Sequence, residues 1–209
     1  DIILCESNLY GCTIRMFEKV FKKFGIKTYY CDFTKKESLK KISHIRPTLV
    51  WLETPTNPLL KVIDLKEICK ECNSKSIPIV VDNTFCTAII QRPLELGATI
   101  SLISTTKFIN GHSDALGGAV ITNSDEWNRK MIFAQKALGI NPSPFDCWLI
   151  TRGLKTLPLR IEQQTRSAET ISKEIESHDL IKNLIYPWNP NHPQHSLAKE
   201  QMRMGGSMI

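Results

Sequence analysis

The chain has 209 residues, 42% of them hydrophobic and 23% charged, which is ordinary globular composition with enough apolar material to bury a real core. Lys and Arg exceed Asp and Glu by 27 to 21, but they are scattered through segments such as K-K-F-G-I-K and T-K-K-E-S-L-K-K, as on solvated helix faces. That scatter speaks against nucleic acid as a partner. No apolar run is long enough to cross a bilayer, D-I-I-L-C-E-S lacks the order of a signal peptide, and seven cysteines make an odd number for a disulfide framework. The expectation is a soluble, reduced, cytoplasmic protein with no membrane partner.

D-I-I-L-C opens the chain as a strand pattern. I-R-M-F-E-K-V-F-K-K-F-G follows as a helix, with Ile14, Phe17, Phe21 and Phe24 near helical spacing and Gly25 placed to end it in a left-handed cap. I-K-T-Y-Y-C and T-L-V-W-L-E read as strands. Beyond the T-N-P-L-L turn, Asp64 and Glu67 have the spacing of a capping box, and Leu65, Ile68, Cys69 and Cys72 share the helix face that follows. The C-x-x-C of Cys69 and Cys72 is therefore read as two buried structural thiols. A zinc site would need a second ligand pair, and His192 and His195 of N-H-P-Q-H lie far away in a proline-rich loop, so no metal is expected.

I-P-I-V-V-D, T-I-S-L-I-S and G-G-A-V-I-T read as three further strands. D-E-W-N-R-K-M-I-F-A-Q-K-A-L then reads as a helix, N-P-S-P as a turn, and L-P-L-R-I-E-Q-Q-T-R-S-A-E-T-I-S-K-E-I-E as a long helix beginning near Pro158. Strands alternating with helices predict an α/β fold with a largely parallel sheet between helices. With no repeat, low-complexity tract or flexible linker, residues 1–180 form one expected domain, and 181–209 change character after I-Y-P-W. Both ends are abrupt. G-G-S-M-I reads as a strand just begun, and the chain is expected to be a fragment of a longer protein.

Two charges close apolar strands, Asp82 after I-P-I-V-V and Lys107 after T-I-S-L-I-S-T-T. Ligands of parallel sheets gather beyond the carboxyl ends of the strands, although an acid and a lysine there could equally form an ordinary ion pair of little energetic weight. The neighbours separate the two readings. Ser104 and Thr106 bracket the lysine with hydroxyls that suit a phosphate, and T-P-T-N-P after Glu53 marks a third strand end. No Walker A or G-x-G-x-x-G sequence is present, which disfavours a Rossmann-like nucleotide binder. A Schiff-base lysine, an acid for a pyridinium nitrogen and phosphate donors together describe a site for pyridoxal phosphate.

L-Y-G-C-T, L-E-T-P-T-N-P-L-L-K-V-I-D, V-V-D-N-T-F, Q-R-P-L-E-L-G-A, S-T-T-K-F-I-N-G-H-S-D, P-S-P-F-D-C, R-G-L-K-T-L-P-L-R and H-P-Q-H occur in this order across nearly the whole chain. In them the sequence resembles the cystathionine γ-synthase/γ-lyase family of pyridoxal-phosphate enzymes. The resemblance implies a fold-type I transferase-like domain over 1–180 and the start of a C-terminal small domain over 181–209. It makes Lys107 the lysine that bears the cofactor, Asp82 the partner of the pyridine nitrogen, and Ser104 and Thr106 phosphate ligands. It stacks Tyr10 on the cofactor ring, with Lys107 and Tyr10 as the catalytic residues, and puts Asn57 near the phenolic oxygen with Glu53 beneath it as a further cofactor-binding residue.

Taken without the resemblance, Tyr10 is a half-buried aromatic at a turn, Asn57 a turn residue before Pro58, and Ser104 and Thr106 strand-end hydrogen bonders. Arg152 and Lys155 are read as cations at a helix junction, and His112 and Asp114 as loop-organising. The resemblance further implies a sulfur-containing amino-acid substrate, a homo-oligomer, and γ-elimination of cystathionine to cysteine, 2-oxobutanoate and ammonia. Cystathionine γ-synthase and methionine γ-lyase activities are the alternatives, Cys12 of L-Y-G-C-T resembling the methionine γ-lyases. An inactive remnant that binds only cofactor or a partner subunit is the alternative of another class. The family's N-terminal arm, glycine-containing phosphate loop and substrate-carboxylate arginine have no counterpart in these residues.

Overall fold

The computed structural model describes residues 1–209. Its centre is a six-stranded sheet of β1 (Ile2–Glu6), β2 (Lys27–Cys31), β3 (Leu49–Glu53), β4 (Ile79–Asp82), β5 (Ile100–Ser104) and β6 (Gly118–Ile121), in the order β2-β1-β3-β4-β5-β6. The first five strands are parallel and β6 runs antiparallel to β5. The six strand patterns read from D-I-I-L-C to G-G-A-V-I-T are therefore strands. The strand order doubles back where β3 takes its place on the other side of β1 from β2. A reversal of this kind opens a crevice beyond the carboxyl ends of β1 and β3.

Side-chain alternation assigns each face its cover. Leu4, Val50, Leu52, Ile79 and Val81 point to one side, where Ile42 of α2 (Glu37–Ile45) and Leu65, Ile68, Cys69 and Cys72 of α3 (Leu65–Asn73) meet them in the largest core cluster. On the other side, Ile3 and Cys5 pack with Phe17 of α1 (Gly11–Lys19) and Trp51. Farther along the first side, where register and alternation put Ile103 on the face of Val81, Ile103 joins Ile90 of α4 (Thr87–Ile90), Leu157 and Ile161 of α7 (Leu157–Glu176) and Ala198 of α8 (His195–Gln201). Cys69 and Cys72 are buried thiols as expected, each pushed up to about 12, first by burial. No helix is long and apolar enough to cross a membrane.

Several local expectations change. The first helix pattern is two pieces: α1 stops at Lys19 and a 3-10 turn covers Phe21–Phe24 before Gly25 closes it at φ 77°. Phe21 stays beside Phe17, with ring centroids 5.9 Å apart, whereas Phe24 is 77% exposed and never belonged to the apolar face. Asp64 caps α3 by accepting the Glu67 N–H, but no bond returns from the Glu67 side chain, so the capping box is half formed. N-P-S-P is not only a turn. Ser143 caps α6 (Pro144–Leu154) through the Phe145 N–H, adding a helix between α5 (Asp125–Leu138) and α7. The closing G-G-S-M-I is not a strand.

Residues after 181 are fastened to the sheet by side-chain amides. Gln201 donates to the Ile63 carbonyl at 3.0 Å and to Gln91 Oε1 at 2.9 Å, and it accepts the Leu65 N–H at 2.9 Å. Gln91, 1% exposed, donates in turn to Asn83 Oδ1 and to the Thr54 carbonyl directly behind the ends of β4 and β3. His192 is buried with Nε2 3.2 Å from the Leu60 carbonyl, and burial lowers its pKa.

Leu52 is fully buried at the centre of the sheet. Leu52→Ala is expected to cost about 2–5 kcal/mol, measured as a lower urea midpoint at unchanged slope. A shift below about 1 kcal/mol would mean that the surrounding core collapses into the space.

Candidate cofactor site

β1, β3, β4 and β5 lie side by side and end at the same edge. Register pairs Glu53 with Asp82 and Asp82 with Leu102, two residues before Ser104. With neighbouring strands about 4.8 Å apart, the edge from the end of β1 to that of β5 spans roughly 14 Å. Every singled-out residue sits along it: Tyr10 after β1, Glu53 and Asn57 at and after β3, Asp82 ending β4, and Ser104, Thr106 and Lys107 at and after β5.

Asp82 is only partly exposed. Its Oδ1 accepts the Thr84 main-chain N–H at 3.0 Å and the Thr84 hydroxyl at 2.6 Å, while Oδ2 has no protein donor. Burial pushes this carboxyl above its ordinary value and the Thr84 bonds pull it back. Thr84 also accepts the Ser104 N–H at 2.9 Å, so one hydroxyl joins the end of β4 to the end of β5. Thr84 stands in the quoted V-V-D-N-T-F but was not singled out. An acid followed two residues later by a threonine was the available signal, since such side chains fold back on local backbone and hydroxyl donors.

Beyond β5 the chain makes a wide turn over Thr105–Ile109, in which Lys107 departs from helical geometry at φ −91°, ψ −118°. That departure turns the Lys107 side chain outward, exposed and without ion pair or hydrogen bond. Ser104 keeps a hydroxyl that no protein group engages. Thr106 Oγ1 accepts the Gly117 N–H at 3.0 Å and sits 3.3 Å from the Gly117 carbonyl, so its proton has only a long bond to give up. Asn110 Nδ2 donates to Asp114 and its carbonyl meets His112 Nδ1 at 2.8 Å, which makes both residues loop-organising as read. Arg152 and Lys155 are exposed cations at the end of α6.

Arg160 was missed, although it ends the quoted R-G-L-K-T-L-P-L-R. Its guanidinium donates to the carbonyls of Phe108 at 2.8 Å, Ile109 at 3.2 Å and Gly153 at 2.8 Å, and to the Thr156 hydroxyl at 3.0 Å. Gly111, at φ 76°, passes so close that a Cβ there would collide with the guanidinium. The lysine turn is thus pinned to the junction of α6 and α7. No sequence period announces such a contact, because its acceptors are main-chain atoms.

Tyr10 is 45% exposed at the mouth of the edge, more open than a half-buried turn residue. Glu53 is 6% exposed. Its Oε2 accepts the Tyr10 N–H at 2.9 Å and its Oε1 the Asn57 N–H at 2.8 Å. Burial pushes its carboxyl up to about 7, the Tyr10 amide works against the rise, and the neighbouring Asp82 adds to it. A cleft of about 400 Å3 lined by Ile90, Arg92, Trp188, Lys199 and Arg203 holds none of these residues, so chemistry rather than depth marks the edge.

A family model described as Cys/Met metabolism PLP-dependent enzyme matches residues 1–209. The chain is 44% identical over 209 residues to a probable cystathionine gamma-synthase of Herpetosiphon aurantiacus, covering all of this chain and 66% of that protein. It is also 44% identical over 209 residues to a cystathionine gamma-lyase of Dictyostelium discoideum, covering all of this chain and 54% of that one. A solved cystathionine gamma synthase of Xanthomonas oryzae pv. oryzae, in complex with aminoacrylate and cysteine, matches with a TM-score of 0.96 at 36% identity, over 99% of this chain and 54% of that chain. The chain therefore spans between half and two thirds of the length of these relatives.

The residues present fit pyridoxal phosphate. An acid with one unclaimed oxygen, a lysine amine without a partner and a free serine hydroxyl are the three groups that a cationic ring nitrogen, an aldehyde and a phosphate require.

Arg160→Ala should leave three carbonyls without their donor and cost about 2–3 kcal/mol, read as a urea midpoint. Arg160→Lys should recover only part, because a single ammonium cannot span the same acceptors. An unchanged midpoint in both variants would show that water replaces the guanidinium without loss.

Proposed function

Since the chain belongs to the Cys/Met metabolism family of PLP-dependent enzymes, we propose that the protein eliminates the γ-substituent of a sulfur-containing amino acid, converting cystathionine to cysteine, 2-oxobutanoate and ammonia. One observation carries this reading: Lys107 presents an amine free of any ion pair at the strand edge that Asp82 shares, with an oxygen of that acid also unclaimed. Synthase chemistry, in which a thiol adds at the same carbon, is the second reading, because the relatives named for synthase and lyase match equally well.

Pyridoxal phosphate, when bound, supplies an electrophilic aldehyde and a ring that takes up negative charge from the substrate carbon. Lys107 Nζ would hold the aldehyde, and its free amine would move a proton between substrate carbons. Asp82 would accept the N–H of the ring nitrogen on the oxygen that Thr84 leaves free, and burial would strengthen that pairing. Ser104 offers its hydroxyl to the phosphate, and Thr106 does so by turning its proton away from the Gly117 carbonyl. Tyr10 would cover one face of the ring, and Asn57 would lie near the phenolic oxygen.

The proposed homo-oligomer is supported by the outer helices. α5 buries none of its residues, and Phe133 and Leu138 on it stand exposed, as do Phe145 and Trp148 on α6. We assign that apolar surface to a second copy of the chain.

Protein supplied with pyridoxal phosphate should turn yellow, and borohydride should fix the chromophore to the peptide carrying Lys107, with Lys107→Ala abolishing the label. Asp82→Ala should keep the label and lower turnover by about two to three orders of magnitude. Offered cystathionine, methionine, or activated homoserine with cysteine, the enzyme should release 2-oxobutanoate fastest from cystathionine. A protein that stays colourless and unlabelled with added cofactor overturns the proposal.

A further inference from the structure

Both oxygens of Glu53 are already occupied by main-chain amides, one from each of the loops that carry Tyr10 and Asn57. Each Glu53 oxygen thus already serves a loop amide, whereas Asp82 keeps one oxygen without any protein donor. It also poses an energetic question. A carboxylate at 6% exposure with no cation in ion-pair distance carries a desolvation cost that two neutral amides only partly offset. The groups facing it make matters worse, since Asp82 on β4 and Glu6 on β1 are both acids.

Glutamine in this place would present an NH2 to one of two N–H donors, so it satisfies one amide and opposes the other. Aspartate is shorter by one methylene and reaches only one loop. A glutamate is the one common side chain that accepts from two amides on separate loops while rising from a strand end. The neighbouring strand end is built the same way: Glu6 is fully buried and accepts the amides of Asn8 and Phe33, and Asn8 Oδ1 accepts the Thr56 hydroxyl at 2.5 Å. The loops after β1 and β3 are therefore stitched together at two levels, Asn8 to Thr56 and Tyr10 to Asn57 through Glu53.

We propose that Glu53 is a positioning residue rather than a cofactor ligand, a carboxylate tether that sets the spacing between the loop bearing Tyr10 and the loop bearing Asn57. What those two residues do for the cofactor rests on the function proposed above; the tether itself does not. The ionised form accepts strongly from both amides, whereas protonation turns one oxygen into an O–H donor and loosens one loop. Since the folded carboxyl is raised, lowering the pH through about 7 releases the tether while the group's contribution to global stability grows. Local order and overall stability thus move in opposite directions with pH at this residue, which a purely structural contact would not do.

The test is an amide titration by NMR without cofactor. The Tyr10 and Asn57 N–H resonances should move upfield together as the pH falls, with one common midpoint near 7 and far above the ordinary carboxylate range. In Glu53→Gln that titration should vanish, and hydrogen exchange at one of the two amides should rise at least about tenfold while strand amides such as those of Leu4 and Val81 stay protected. Separate midpoints for the two amides overturn the tether, and so does unchanged exchange in Glu53→Gln. The wild-type titration decides the matter even if the variant does not fold. Because no cofactor is present, failure of the Lys107 label would leave this result standing, and the reverse also holds.

Discussion

Everything at the functional edge depends on parallel strands that end together. Because β1, β3, β4 and β5 all run the same way, their carboxyl ends collect on one side of the sheet, and four loops distant in sequence arrive within one short line. The doubling back of strand order between β1 and β3 opens a crevice at the β1 end of that line. An antiparallel sheet of the same strands would have dispersed Tyr10, Asn57, Asp82 and Lys107 between its two edges.

A shared edge brings residues near one another but does not orient them. Orientation comes from a small set of polar contacts whose donors or acceptors are main-chain atoms. Thr84 ties the Asp82 carboxylate to the Ser104 amide, Glu53 ties two loops by their amides, and Arg160 holds the turn after Lys107 by its carbonyls. Behind them, the amide chain of Gln201, Gln91 and Asn83 joins α8 to the ends of β3 and β4, so the residues after 181 bear on the same edge. The groups assigned to chemistry, in contrast, are the ones left without partners: the Lys107 amine, the Ser104 hydroxyl and one Asp82 oxygen.

The six strands and helices α3, α5 and α7 were legible because they depend on periodicity. Alternation at Val50, Leu52, Ile79 and Val81 and the helical spacing of Leu65, Ile68, Cys69 and Cys72 report burial directly. The end of α1 was not legible, since Phe24 continues the apolar spacing that the fold abandons after Phe17 and Phe21. α6 was hidden by its proline, which reads as a turn although Pro144 is well suited to a first helical turn behind the Ser143 cap. At the site, Lys107 and Asp82 stood out as charges closing apolar strands. Thr84 and Arg160 did not, because polar residues that serve the backbone have no pattern in sequence. Glu53 was visible as a strand-end acid, but its two amide donors were not, since a strand-end acid says nothing of which donors reach it.

Arg160 also bears on how such a site can change over time. A grip on carbonyl oxygens is blind to the side chains that those carbonyls belong to, so the identity of residue 108 is uncoupled from the anchoring of the lysine beside it. Phe108 is only partly buried. Its position is thus one where the surroundings of the amine can be retuned by substitution while the backbone path that delivers Lys107 to the edge is inherited unchanged.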